Sequence, residues 1–108
     1  MDKMTILLIE DTNLLAEVYM EYLQYENVDI VHVATGGEAF SYFAEHTPHI
    51  ILLDMNLPDM DGMEILKHIS ETGIGSGVIV ITAYGAVSRV VEAMRLGAFE
   101  YLQKPFDK

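Results

Sequence analysis

The chain has 108 residues, enough for one ordinary globular domain and too few for two lobes with a cleft between them. Hydrophobic residues make up 51% and charged residues 21%, a composition that folds, and a net charge of −11 argues against nucleic-acid phosphates or an anionic membrane as direct partners. There is no cysteine, which excludes disulfides, thiolate metal sites and cysteine nucleophiles, and the first apolar stretch, 6–9, is too short for a signal peptide or a membrane span, so a cytoplasmic location is expected.

In chain order, the apolar run 6–9 predicts a first strand. Helical spacing follows over 12–26, where Leu15, Val18, Tyr19 and Tyr22 fall at i, i+3, i+4 and i+7 and Thr12 or Asn13 serves as cap. The run 28–33 predicts a second strand, and 35–45 a helix that stacks Ala39, Phe40 and Phe43. A third strand is expected at 50–53, then a helix over 62–71 stacking Ile65, Leu66 and Ile69. The stretch 72–77 reads as a flexible loop, whose three glycines lack the Lys-Ser/Thr of a phosphate-binding loop. A fourth strand at 78–81 precedes a stripe of Val87, Val90, Val91 and Met94 closed by Gly97, and 98–102 is a weaker fifth strand. All four stripes are expected to be core, with the seven methionines as filler.

Runs that are continuous rather than alternating suit a parallel sheet buried on both faces, and strict strand-helix alternation calls for a three-layer α/β sandwich. A fifth helix should cover the last strand, yet the sequence stops at Lys108 where it would begin. Residues 1–108 are therefore expected to be one domain of a longer protein, truncated before or at its last helix, with its other domains not present.

In an open parallel sheet, function collects at the carboxyl ends of the strands. There the sequence places Glu10 and Asp11, Asp54, Thr82 and Lys104, after the first, third, fourth and fifth runs. Three crowded carboxylates repel, so the site either protonates one or binds a divalent cation, and hard oxygen ligands in an open site favour Mg²⁺. A Thr82 hydroxyl and a Lys104 ammonium supply what a transferred phosphoryl group needs, which makes Asp54 the natural acceptor. Singly, each residue has a plainer role: an acidic pair caps a helix, a strand-end Asp opens a turn, and a lysine before proline is solvated. Their joint placement is what points to chemistry. His32, His46, His49 and His68 are dispersed and suit surface or strand-end roles, while Asp59 and Asp61 read as loop and helix-start residues that contribute negative field.

Four motifs in order, Ile9-Glu10-Asp11-Thr12, Leu53-Asp54-Met55-Asn56-Leu57-Pro58-Asp59-Met60-Asp61-Gly62, Thr82-Ala83-Tyr84, and the stretch from Gly97 through Lys104-Pro105-Phe106, resemble the receiver domain of two-component response regulators over the whole chain. The resemblance implies a doubly wound, flavodoxin-like five-stranded parallel sheet of order 2-1-3-4-5, here without its fifth helix. It implies that Asp54 accepts a phosphoryl group from a histidine kinase or histidine phosphotransfer protein. By the same likeness Asp11 and Asp54 bind Mg²⁺ directly, the main-chain carbonyl of Asn56 is a third ligand, and Glu10, where most members have Asp, reaches the ion through water. Lys104 pairs with Asp54 and then with the phosphoryl oxygens, while Thr82 and Tyr101 form a switch that repacks the fourth helix and fifth strand. A half-buried strand aromatic is the plainer reading of Tyr101.

The segment 93–102 with its Lys-Pro-Phe looks most like receivers of NtrC- and LuxO-type sigma-54 activators, so the expected partner within the chain is a transcriptional output domain, and DNA contact is left to that neighbour. Such a domain is a self-catalysed phosphorylation switch rather than an enzyme with turnover, and self-association into a dimer through the uncovered sheet face is expected. Two rivals are a pseudo-receiver that has lost phosphorylation and a haloacid-dehalogenase-like phosphohydrolase. The first usually lacks the acceptor or the lysine. The second carries its nucleophile first, with another Asp two residues later where this chain has Asn56.

Overall fold

The computed structural model describes residues 3–55, 57–82, 87–98 and 100–103, with the backbone alone at 82, 87–90 and 100–103. Nine elements alternate: β1 (Met4–Ile9), α1 (Asn13–Leu23), β2 (Val28–Val33), α2 (Gly36–Phe43), β3 (Ile50–Asp54), α3 (Gly62–Thr72), β4 (Gly77–Thr82), α4 (Val87–Arg95) and β5 (Glu100–Gln103). All strand pairs are parallel and the order is β2-β1-β3-β4-β5, as expected. Register sets the functional edge: Ile9 lies opposite both Val33 and Leu53, Asp54 opposite Ile81, and Ile81 opposite Leu102. Glu10 and Asp54 therefore leave neighbouring strands at the same level.

Because side chains alternate across a strand, each run feeds both faces of the sheet. Leu7, Ile9, Ile51, Leu53, Val78 and Val80 enter the larger cluster, where Ala39 of α2, Ile65, Leu66 and Ile69 of α3 and Ala93 of α4 cover them. Leu8 and Ile81 point the other way and meet Ala16 and Tyr19 of α1, with Ile30 and Leu52 half-buried alongside. Each fully buried aliphatic side chain contributes about 1.5–3 kcal/mol, so this two-sided core holds the strand ends in place.

Two helical faces differ from their expected stripes. In α1 the buried residues are Ala16 and Tyr19, while Tyr22 turns to solvent. In α4 Ala93 is fully buried, but Val91 and Met94 are 48% and 41% exposed; the side chains of Val87 and Val90 lie outside the described residues. In both helices a small alanine sits against the sheet, in α1 beside the buried Tyr19, while Tyr22, Val91 and Met94 lie at the flanks. Met4 is also exposed, so the methionines are not uniformly filler.

Helix ends follow local chemistry. Thr12 occupies the cap position of α1 but makes no side-chain cap bond. Thr35 caps α2 by accepting from the Glu38 N–H, and Asp61 and Glu64 form a reciprocal capping box on α3. The stretch 72–77 is shorter as a loop than expected: Thr72 ends α3, Gly73 closes it at φ 72° in the left-handed region, and Gly77 already belongs to β4. Gly97, at φ 104°, follows α4 as its stop. The fifth strand begins two residues later than 98–102, and Ala98 is buried just before it.

Candidate functional site

The register brings three of the expected site residues together. Glu10 and Asp54 are 0% and 1% exposed, Asp11 is exposed, and one carboxylate oxygen from each lies within 4.8 Å of the others. Glu10 is held from several sides: its main-chain N–H donates to the Val33 carbonyl at 3.1 Å, its Oε2 accepts from the Thr12 N–H at 3.1 Å, and its carbonyl oxygen lies 2.7 Å from His32 Nε2. The carbonyl can only accept, so Nε2 carries the proton. His32 thus has the strand-end role expected of it, and a particular partner that its position in the sequence did not name. His49 does likewise at the opposite edge of the sheet, where its Nδ1 accepts from the Thr5 N–H at 2.9 Å.

Asp54 is the last residue of β3, and Met55 turns the chain behind it with an N–H donated to Ile81 at 3.1 Å. Gly62 then returns the loop to Met55, donating to its carbonyl at 3.0 Å. A Cβ at Gly62 would fall 2.6 Å from Met55 Cα and 3.0 Å from the Asp54 carbonyl oxygen, so this close approach requires glycine. Between these points Met55 and residues 57–61, with Asp11, line an open cleft of about 440 Å³ beside the carboxylates. Met55 is buried and forms part of its wall.

Asp59 reaches out of this loop to α2. Its Oδ1 and Oδ2 accept from the Gly36 and Gly37 N–H groups, each at 2.9 Å. Those two donors hold its carboxyl below the usual aspartate value. No local pattern points to this bond, because its partners lie 23 and 22 residues away. Asp61 is the α3 cap instead, a role legible in the spacing Asp-x-x-Glu before an apolar run.

Of the remaining expected site residues, Thr82 ends β4, opposite Gln103 and one residue beyond the Asp54 partner Ile81, and Tyr101 pairs with Val80 in β5. Their side chains, and all of Asn56 and Lys104, lie outside the described residues.

The donor set fits a small hard cation. Mg²⁺ with oxygens at about 2.0–2.1 Å sets adjacent ligands about 2.9 Å apart and opposite ones about 4.2 Å apart. Three carboxylate oxygens already within 4.8 Å need only small rotations to serve one ion, and the exposed side at Asp11 leaves room for its waters. Two of the three carboxyl groups, Glu10 and Asp54, stand close together out of contact with solvent, and a bound cation would offset the charge such a pair carries when ionised. Among the described residues no helix is long and apolar enough to cross a membrane.

Comparison with known proteins agrees with this geometry. The response regulator receiver domain family matches residues 6–108. The regulatory protein LuxO of Vibrio cholerae is 40% identical over 98 residues, which is 91% of this chain and 22% of that protein. The transcriptional regulatory protein CitB of Klebsiella pneumoniae is 36% identical over 107 residues, covering 97% of this chain and 46% of CitB. The chain thus spans from about a fifth to about half the length of these relatives. Among solved structures, the signal receiver domain of a LuxO-type protein from Vibrio parahaemolyticus superposes with a TM-score of 0.93 at 38% identity, covering 97% of this chain and 81% of that one. A CheY-like receiver from Methanospirillum hungatei gives 0.90 at 26% identity over 98% of this chain and 85% of that one.

Proposed function

Since this chain belongs to the response regulator receiver domain family, we propose that it is a Mg²⁺-dependent phosphorylation switch whose acceptor is Asp54. The observation that carries this reading is the meeting of Glu10, Asp11 and Asp54 at the carboxyl edge of the sheet, with Asp54 last on its strand. An Asp54 carboxylate oxygen attacks the phosphorus of a phosphohistidine on a kinase or phosphotransfer partner. The new O–P bond forms as the P–N bond breaks, and the departing imidazole keeps the electron pair and takes up a proton.

Asp11, Asp54 and the Asn56 carbonyl would hold Mg²⁺, with Glu10 acting through water, and the ion would supply positive charge for the phosphoryl oxygens. Glu10, tied to Val33, Thr12 and His32, keeps its side of the site fixed, so little reorganisation accompanies transfer. Lys104 pairs with the phosphoryl oxygens from the other side. Thr82 then moves toward the modified Asp54, and Tyr101 follows inward, repacking the surface of α4 and β5.

Residues 1–108 are, on this reading, the receiver of a longer regulator whose output is transcriptional, as the names of LuxO and CitB suggest for those proteins. The net charge of −11 suits protein partners, a second receiver copy among them, rather than DNA, and it suits work in the cytoplasm.

Intact mass after incubation with Mg²⁺ and acetyl phosphate tests the reading. One phosphoryl group should add to the parent chain and none to Asp54→Asn or to the parent with chelator. Addition to the Asn variant, or none to the parent or to a version extended through a fifth helix, would refute it. The last outcome would leave a pseudo-receiver.

A further inference from the structure

Hydrogen bonds and chain connectivity run around the carboxylate site, and the pairing of Leu53 with Ile9 brings the path from Met55 back to Glu10. Starting at Glu10, the main chain bonds to Val33 at the end of β2, and β2 leads within three residues into the first turn of α2. The Gly36 and Gly37 N–H groups there are held by Asp59, Asp59 belongs to the loop that Gly62 folds back onto Met55, and Met55 bonds across to Ile81. Every link but one is main chain to main chain or covalent. Asp59 is the side-chain link, and it binds with both oxygens in a fork that suits two successive N–H groups at a helix start.

A second contact shows that the loop is seated on α2 rather than merely near it. Met60 lies against the bare Cα of Gly36, where an added Cβ would overlap its sulfur. Two consecutive loop residues thus bind the same turn, one by charge and one by packing. Asp59 spends its acceptor oxygens on α2 although it lines the same cleft as Asp11.

We propose that Asp59 is a positioning residue for the cation site: by clamping the 57–61 segment, which Gly62 ties back to Met55, to the start of α2, it holds the carboxyl end of β3, where Asp54 sits, in the geometry Mg²⁺ needs. This rests on the functional reading above. The loop's competent population sets the apparent affinity, which falls in proportion when the clamp is released.

The test titrates Mg²⁺ by calorimetry into the parent, Asp59→Ala, Asp59→Asn and Thr35→Ala, at low and at high ionic strength, with amide hydrogen exchange read at Gly36 and Gly37. Thr35→Ala removes the other α2 cap and leaves the Asp59 bonds in place, so it reports what general loosening of the helix does. Asp59→Ala should weaken Mg²⁺ about 3–10-fold at both ionic strengths and speed exchange at both glycines, Asp59→Asn should lie between, and Thr35→Ala should stay within about twofold of the parent. The Asn variant carries the test if the Ala variant does not fold.

Parent-like Mg²⁺ affinity in a variant whose Gly36 and Gly37 amides have lost protection would overturn the proposal. So would a weakening that disappears at high salt, which is the signature of a distant charge alone, or an equal weakening in Thr35→Ala. Failure of the underlying reading looks different: the parent itself would not bind Mg²⁺, or Asp54→Asn would bind it equally well, and both inferences would fall together.

Discussion

Replacing Asp54 by Asn should make the cation-free protein more stable while removing most of the stabilisation that Mg²⁺ provides. Asn matches Asp in shape, so packing at this 1%-exposed position is kept and the change is one of charge. The Glu10 and Asp54 oxygens lie within 4.8 Å, where two unit charges repel by about 3.5 kcal/mol at an effective dielectric constant of about 20. Part of this is offset because the amide weakens the other contacts of the carboxylate, leaving a net gain of about 1–3 kcal/mol. For a domain of this size that corresponds to about 4–13 °C in Tm.

Mg²⁺ acts with very different strength on the two proteins. At ten times its Kd it should stabilise the parent by about 1.4 kcal/mol, or about 6 °C, and Asp54→Asn far less. Thermal and urea unfolding in chelator and in Mg²⁺ reads both effects. An Asn variant less stable than the parent in chelator would refute the repulsion argument, and an equal gain from Mg²⁺ would remove Asp54 from the site.

Gly62→Ala and Gly36→Ala should both destabilise, by about 1–3 kcal/mol, but only the second should be rescued by Met60→Ala, because Gly62 faces backbone and Gly36 faces a side chain; a double-mutant cycle in urea that rescues both would contradict the contacts. The acid limb of stability should flatten in Asp59→Asn. The folded carboxyl lies below 3.8 because Gly36 and Gly37 donate to it, so its contribution is complete above that value and is lost as pH falls through the lower folded one; an unchanged limb below about pH 4 would count against the bond. Ala93→Leu should cost about 1–3 kcal/mol, whereas Met94→Ser on the same helix should stay within about 0.5 kcal/mol, and the reverse ranking by denaturation would mean that α4 is rotated.

The alternation of strands and helices, the element boundaries to within a few residues and the convergence of Glu10, Asp11 and Asp54 were legible in the residues themselves, while the strand order came through the resemblance to receiver domains. Buried parallel strands announce themselves as continuous apolar runs, and a residue that follows such a run must emerge at the carboxyl edge whatever the helices do. Likewise the Gly97 stop and the helix start at Gly62 depend on backbone conformation within a few residues, which local composition encodes.

What only the tertiary structure decided depends on distance in space. It buried Glu10 and left its neighbour Asp11 in solvent, because β1 ends level with β3 between β2 and β3 and the chain then turns outward into α1. It chose Ala16 and Ala93, rather than Tyr22, Val91 and Met94, to face the sheet. Hydrophobic spacing defines an apolar side of a helix but not how closely that helix docks or which residues of that side end at its flanks. It also gave Asp59 its partners on α2. A carboxylate and two main-chain N–H groups more than twenty residues apart leave no periodicity to read, since any backbone can donate and only the fold brings these donors within reach.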